Sequence, residues 1–353
     1  MKVLLVARPL ELRGATLYTL TVARELRLRG HQVATLSEGG DFEQELVAER
    51  IPLLRAPLRG HHWRDTVAFV THLRLARRYA PDLLHIQEEA LARHAVWLSA
   101  WLHLPHVLTC HNVPPAPLRP SPWRRGVIAT TPHVARQLIK TSGVPEDQIE
   151  QIPMGVAIDR TVHETIERAL PVVPIIGTTG RLDGSPDLSL LVQAARKLLD
   201  REVAAHFAIV GAGPQEGALR RQIRELDLVD CVTVSMAQAR IADLLDPIDV
   251  YVSTGGEEAL PALTLLAMSR GKPVIALPSP ALPETLRDGE TVLVPADRSP
   301  ESVADAVARM LETRGLREML ARQGLDMVAR SHGRREMVER TLRCYREAQD
   351  REE

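Results

Sequence analysis

Residues 2–37, "KVLLVARPLELRGATLYTLTVARELRLRGHQVATLS", decide the fold, because they contain a strand, a turn, a helix and a second strand. KVLLVA is a short continuous apolar run, which is typical of a buried strand. The helix is indicated by the apolar spacing of Tyr18, Val22 and Leu26, and Gly30 marks its end. QVATLS is the next strand. A helix connecting two consecutive strands predicts a parallel sheet covered by helices.

The alternation continues along the chain and starts again after residue 174. Helices are predicted over 64–79 and 89–101, and the two prolines of ALPVVP (169–174) indicate a hinge. The strand candidates beyond the hinge are IIGTTG, HFAIVG, CVTVSM, DVYVST, PVIAL and TVLVP. Further helices are predicted near the end of the chain, over 299–312, 315–331 and 335–349. The pattern predicts two consecutive Rossmann-like units, with ligands bound at the carboxyl ends of their strands.

Length and composition exclude several classes of protein. The 353 residues suffice for two domains of about 170 residues each. Hydrophobic residues make up 45% of the chain, charged residues make up 25%, and the net charge is −1, which favours a globular protein. Three scattered cysteines without a CxxC pair indicate a reducing, cytoplasmic location. The opening MKVLLVARPLEL is interpreted as a strand rather than a signal peptide, and no run reaches the roughly 18 apolar residues of a membrane span.

Charge is distributed unevenly along the chain. Residues 1–165 contain 20 basic and 16 acidic residues, whereas the remainder contains 24 and 29. The basic residues include Arg124 and Arg125 beside Trp123, in a proline-rich stretch (114–126) that predicts an exposed loop. This cluster indicates either a solvated surface or a peripheral contact with an anionic acceptor or the inner face of a membrane. Nucleic acid is not an expected partner, since aromatic residues are only 3% of the chain.

Five short motifs occur in the order of a known family. Together they resemble the family-4 retaining glycosyltransferases, which have the two-domain GT-B fold. The motifs are RGHQV (29–33), QIPMGV (151–156), GRL (180–182), IVGAGPQEGALR (209–220) and EALPALTLLAMSRGKPV (258–274).

The resemblance implies an α/β GT-B protein, with two Rossmann-like domains whose parallel sheets face a central cleft. The expected domains are an acceptor-side domain (1–168), a nucleotide-sugar-binding domain (169–333) and a terminal helix (334–353) that packs back on the first domain. The implied reaction is hexosyl transfer from a nucleotide sugar to an acceptor, with retention of anomeric configuration. The acceptor is left open among a sugar, a lipid-linked molecule and a small molecule. No cofactor or metal is expected.

Three residues are the candidates for catalysis. His111 follows a first-domain strand, where a neutral imidazole can hydrogen-bond a sugar hydroxyl or help to move the acceptor proton. Arg181 follows a strand of the second domain, and its guanidinium suits the charge that develops on the β-phosphate. Glu258 precedes a helix, where its carboxylate can hold a hydroxyl of the donor sugar. For His111 and Arg181 the alternative is an ordinary solvated side chain.

The remaining candidates are expected to bind the donor. Small residues at Gly14 and Ala15 let a phosphate or sugar approach the first helix, although a plain turn is an equal alternative. Gly213 precedes a helix and is also explained by a turn. By resemblance, the donor-binding positions on the Glu258 segment are Ala259, Leu260 and Leu266.

The chain departs from the family pattern at two positions. Leu266 stands where the family has a second glutamate for the donor ribose, and Ser185 stands where it has a phosphate-binding lysine. Two hypotheses therefore remain: an active transferase with an altered donor site, and a non-catalytic subunit that binds sugar nucleotides or acts as a scaffold. The paired histidines, such as His61 and His62, have no carboxylate or cysteine at ligand spacing, so no metal site is predicted.

Overall fold

The computed structural model of this chain describes residues 1–57, 64–158, 162, 166–182, 186–236, 240–254, 262–279 and 282–350. The chain divides into two compact units. Unit 1 is Met1–Gly155 with Arg334–Glu353, and unit 2 is Val156–Gly333. The boundary thus falls before Val156, whereas the sequence placed it after residue 168. Each unit contains one sheet of parallel strands with helices around it, which confirms the α/β class.

Unit 1 is built on a seven-stranded sheet of order β3-β2-β1-β4-β5-β6-β7, in which every pairing is parallel. Its strands are β1 Lys2–Val6, β2 Gln32–Ser37, β3 Leu53–Arg55, β4 Leu83–Ile86, β5 His106–Cys110, β6 Arg124–Ala129 and β7 Ile149–Gln151. Its helices up to the boundary are α1 Gly14–Leu28, α2 Glu43–Ala48, α3 Arg64–Tyr79, α4 Ala92–Leu102 and α5 Pro132–Ser142.

The strand order places the helices of unit 1 in two layers. The chain runs outward from β1 to β3 and then crosses back to β4 on the other side of β1. Because parallel crossovers are right-handed, α1 and α2 cover one face of the sheet, and α3 and α4 cover the other. The direction of winding reverses between β1 and β4. A reversal of this kind opens a crevice at the carboxyl ends of the strands.

Unit 2 contains a five-stranded parallel sheet of order β10-β9-β8-β11-β12. Its strands are β8 Ile175–Thr179, β9 His206–Val210, β10 Val232–Ser235, β11 Val250–Ser253 and β12 Val274–Ala276. Its helices are α6 Pro186–Asp200, α7 Glu216–Glu225, α8 Ala262–Ser269, α9 Pro300–Glu312 and α10 Arg314–Ser331. Here the winding reverses between β8 and β11.

The last helix, α11 Arg334–Asp350, belongs to unit 1, where it packs against α1, β5 and β6. Tyr345 of this helix is fully buried, and its hydroxyl lies 2.5 Å from Nδ1 of His85 in β4. The opposite ring nitrogen of His85 lies 2.8 Å from the hydroxyl of Thr109 in β5. A buried chain of hydrogen bonds therefore ties α11 to the centre of the first sheet.

Two local predictions differ from the structure. TVLVP (291–295) forms only bridges, such as Ile275 with Leu293, and no named strand. The predicted loop 114–126 runs into β6, because Arg124 pairs with His106 of β5.

Candidate functional site

One group of candidate residues lies at the carboxyl ends of β1, β4 and β5 in unit 1. His111 follows β5 directly, and its backbone N–H donates to Oε2 of Glu89 at 3.0 Å. Its Nε2 lies 3.1 Å from the carbonyl oxygen of Gln87, an arrangement in which Nε2 carries the proton and donates. In the neutral ring Nδ1 is then a hydrogen-bond acceptor. The ring also meets that of Tyr18 edge-on, with centroids 4.9 Å apart.

Burial keeps His111 neutral. Desolvation lowers the pKa of His111 to about 4, and the positive charge of Arg13 acts in the same direction. The carboxylate of Glu88 and the carbonyl of Gln87 oppose this shift without cancelling it. At neutral pH the imidazole is therefore available to accept or share a proton, as the sequence-based hypothesis requires.

Gly14 and Ala15 occupy the first turn of α1 and are buried, with Arg13 at the N-cap position. The Arg13 guanidinium contacts Oε2 of Glu88 at 3.0 Å and donates to the carbonyl oxygen of Pro9 at 2.9 Å. Both charged side chains are largely buried, with 13% and 9% exposure. An ion pair thus stands beside the helix N-terminus that the sequence assigned to a phosphate or sugar.

Another group of candidate residues lies at the carboxyl ends of β8 and β9 in unit 2. Arg181 is half-buried just beyond β8, at the place that the sequence predicted. Leu182 accepts from the N–H of Gln215 at 3.0 Å and donates to the carbonyl oxygen of Ala212 at 3.1 Å. A Cβ at Gly213 would lie 2.3 Å from the carbonyl oxygen of Leu182. Close packing of two backbone segments therefore accounts for glycine at position 213.

Leu266 lies in the core of unit 2. Every residue of α8 is buried, and Leu266 is 3% exposed. The hydroxyl of Thr264 on the same helix donates to Oγ of Ser253, at the end of β11, at 2.7 Å. Three further candidates, Glu258, Ala259 and Leu260, lie outside the described residues, as does Ser185.

Arg298 is a charged residue at this edge that the motifs do not reveal. It forms an ion pair with Asp187 in the first turn of α6. Its Nη1 donates to the carbonyl oxygen of Pro278, just beyond β12, at 2.9 Å. Its guanidinium is therefore held at the same end of the sheet as Arg181. No local motif marks Arg298, because its partner Asp187 is 111 positions away in the sequence. The only signal in the sequence is that both residues follow predicted strands of the same sheet.

Trp123 and Arg124 are held by neighbouring groups. The Trp123 ring meets that of His103 edge-on, with centroids 5.5 Å apart. Arg124 donates from Nη1 to the carbonyl oxygen of Arg119 at 2.8 Å, and its side chain is half-buried. Arg125 is half-buried as well.

The described residues contain neither a metal-ligand cluster nor a membrane-spanning helix. There, no three His, Cys, Asp or Glu side chains come together as a metal site. None of the helices in that part of the chain is long and apolar enough to cross a bilayer.

Two Rossmann-like units with parallel sheets are the architecture of the GT-B class of two-domain α/β proteins. The model for Glycosyltransferase Family 4 matches residues 12–160, and the model for Glycosyl transferases group 1 matches residues 173–313. The chain belongs to the family-4 glycosyltransferases.

This chain is similar in sequence to several glycosyltransferases, each over only part of that relative's length. The D-inositol 3-phosphate glycosyltransferase of Nocardia farcinica is 29% identical over 59% of this chain and 49% of its own. The GDP-mannose-dependent alpha-(1-6)-phosphatidylinositol monomannoside mannosyltransferase of Mycobacterium tuberculosis is 30% identical over 52% of each. The chain spans about half the length of the curated relatives it matches.

Solved structures match the fold over nearly the whole chain. A glycosyltransferase from Rickettsia africae superposes with a TM-score of 0.74 at 20% identity, over 98% of both chains. Anabaena Alr3699/HepE, solved with UDP and glucose, gives 0.76 at 16% identity, over 97% of this chain and 98% of its own.

Proposed function

We propose that this protein transfers a hexose from a nucleotide-sugar donor to an acceptor hydroxyl, with retention of anomeric configuration. The observation that carries the proposal is His111, a histidine kept neutral by burial at the strand ends of a family-4 glycosyltransferase domain. The UDP and glucose in the Anabaena structure support the class of donor. The acceptor is a sugar, a lipid-linked molecule or a small molecule.

Each candidate residue has a chemical role in this proposal. His111 hydrogen-bonds a hydroxyl of the donor sugar or shares the acceptor proton through Nδ1. Arg181 stabilises the negative charge that grows on the β-phosphate as the glycosidic bond breaks. Glu258 holds hydroxyls of the donor sugar, and Ala259 and Leu260 contribute backbone N–H groups. We propose no metal requirement, so a chelator should leave the rate unchanged.

A second candidate function is a non-catalytic subunit that binds sugar nucleotides or acts as a scaffold. Two observations favour this second function, because each is a departure from the donor site that the family resemblance implies. Leu266 is 3% exposed in an apolar helix, where the family has a ribose-binding glutamate. The ion pair of Arg13 with Glu88 stands beside the N-terminus of α1. The three cysteines are free thiols, which is in keeping with the cytoplasmic location proposed for either function.

The deciding experiment measures turnover and binding on the same preparation. Transfer and hydrolysis are followed across a panel of UDP-, GDP- and ADP-sugars, and binding of the free nucleotides is followed by calorimetry. His111→Ala should lower turnover by about 100-fold or more while changing nucleotide binding little. Binding without turnover in the wild type supports a non-catalytic subunit that binds sugar nucleotides, and absence of both contradicts the transferase and leaves only the scaffold role.

A further inference from the structure

The outer surface of α3 and α4 carries exposed apolar side chains. Trp97 and Trp101 of α4 are 56% and 54% exposed. Val67 and Val70 of α3 are 62% and 42% exposed. An exposed tryptophan is costly to leave in water, and here two of them stand one helical turn apart on the same face.

These residues belong to one continuous surface, because the two helices pack side by side and run in the same direction. Nδ1 of His72 lies 2.9 Å from Nε2 of His94 near the start of α4. Nη2 of Arg77 lies 3.4 Å from the carbonyl oxygen of Trp101 near its end. The residues that face solvent recur every three or four positions on both helices. We call this face the α3–α4 surface.

The charges of the α3–α4 surface have a single sign. Four arginines accompany the apolar residues on the exposed face, namely Arg74, Arg77, Arg78 and Arg93. Among the described side chains of the two helices, Val67–Tyr79 and Ala92–Leu102, there is no carboxylate. A flat partner of uniform negative charge would complement this surface, whereas a protein partner would need its acidic groups placed at four matching points.

We propose that the α3–α4 surface docks on the surface of an anionic lipid bilayer. Indole rings favour the boundary between headgroups and acyl chains, and arginine stems lie along apolar surface while their guanidinium groups reach phosphates. Clustered arginines add electrostatic attraction to anionic lipid. The contact is peripheral, since α4 has only 11 residues. The α3–α4 surface does not include Trp123 or Arg124, and the proposal does not depend on the proposed transferase activity.

Vesicle co-sedimentation of the full chain tests the proposal. The wild type should bind vesicles of phosphatidylcholine mixed with phosphatidylglycerol more tightly than vesicles of phosphatidylcholine alone. Replacing both indoles, by Trp97→Ser with Trp101→Ser, should weaken binding to the anionic vesicles by about 10-fold or more. Replacing two charges, by Arg74→Glu with Arg78→Glu, should abolish the preference for anionic lipid, and added salt should weaken the wild type.

A matched control distinguishes binding through the α3–α4 surface from nonspecific adsorption of exposed apolar side chains to vesicles. Val172 and Val229 of unit 2 are 94% and 61% exposed, so Val172→Ser with Val229→Ser should leave vesicle binding unchanged. Thermal melts should show that all variants are folded, because every replaced side chain is exposed.

Three results would overturn the proposal. The first is equal binding of the wild type to neutral and anionic vesicles, and the second is undiminished binding by the tryptophan double variant. The third is a concentration-dependent dimer, seen by light scattering without lipid, that the double variant abolishes, because the occupant would then be a second copy of the chain. Turnover of water-soluble substrates is unaffected in each case, so failure here leaves the proposed function untouched.

Discussion

At the scale of single residues, the position of His111 follows from the local sequence, whereas that of Arg298 depends on tertiary contacts. The position of His111 at the end of β5 could be predicted from the apolar run before it, because the end of a strand is a local property of the sequence. Arg298 could not, since its place depends on Asp187 and Pro278, which are distant in sequence. The same limit applies to Gly213, whose tight approach to Leu182 is a tertiary contact.

Arg298 should contribute to nucleotide binding in place of the missing lysine. Arg298→Ala removes a guanidinium from the carboxyl ends of the strands, so affinity for UDP, GDP or ADP should fall by about 10-fold, as for a lost charge-assisted hydrogen bond. Arg287→Ala, which removes an exposed arginine paired with Glu290, is the matched control. Calorimetric titration measures both.

A companion variant separates direct binding from a structural effect of Arg298. Asp187→Asn releases the guanidinium without removing it, so nucleotide affinity should stay equal or rise. If Arg298→Ala binds nucleotide as the wild type does, Arg298 serves α6 alone and has no role in the donor site.

Substitution of Leu266 by glutamate should destabilise unit 2 without restoring a ribose contact. The position is 3% exposed, so the new carboxylate would be buried without a partner, at a cost of about 3 kcal/mol or more. A thermal melt and nucleotide titration are compared with Leu266→Met, which conserves volume and should change neither measurement much. Tighter nucleotide binding at an unchanged melting temperature would contradict the burial of this side chain.

At the scale of elements, apolar periodicity predicted most helices and strands closely. The helix predicted over 64–79 is α3 with the same bounds, and that predicted over 315–331 is α10, Arg314–Ser331. The failures have tertiary causes. Arg124 joins β6 although Arg125 beside it is also charged, because Arg124 pairs with His106 of β5. Leu293 reaches only a bridge beside β12, the outermost strand of its sheet.

The buried chain from α11 to β4 gives the terminal helix a specific attachment. His85 is fully buried, and desolvation lowers its pKa to about 3, so it is neutral and has one donor and one acceptor nitrogen. If the Tyr345 hydroxyl donates to Nδ1, Nε2–H donates to Thr109, whose hydroxyl donates onward to Tyr18 at 3.3 Å. Tyr18 in turn contacts the ring of His111.

Tyr345→Phe should lower the stability of unit 1 by about 1–3 kcal/mol, because it leaves a buried nitrogen of His85 without its partner. The variant keeps the ring, so packing of α11 is preserved. Urea unfolding followed by tryptophan fluorescence measures the change. Tyr79→Phe, at a half-buried tyrosine of the same unit, is the control and should have a smaller effect. Equal stability of Tyr345→Phe and wild type would mean that the hydrogen bond contributes nothing.

At the scale of the whole molecule, four buried or half-buried histidines should make unit 1 sensitive to acid. Desolvation lowers the pKa of His85 and His106 to about 3 and that of His94 and His111 to about 4, and all four lie in unit 1. In the unfolded chain a histidine titrates near 6.5. Below that pH the unfolded chain binds more protons than the folded one, so stability falls as the pH falls towards 4.

Lowering the pH from 7.5 to 5 should therefore cost unit 1 at least about 2 kcal/mol, since each fully buried histidine contributes about 1.4 kcal/mol per pH unit below 6.5. All four tryptophans of the sequence fall within Met1–Gly155, so tryptophan fluorescence during urea unfolding reports on unit 1 alone.

His106→Gln removes one of these histidines, whose ring lies 2.9 Å from the hydroxyl of Ser99, and should weaken the dependence of stability on pH. His133→Gln, at an exposed position of α5, should leave it unchanged. An unfolding midpoint that stays constant between pH 7.5 and 5 would show that these histidines are not held neutral by burial.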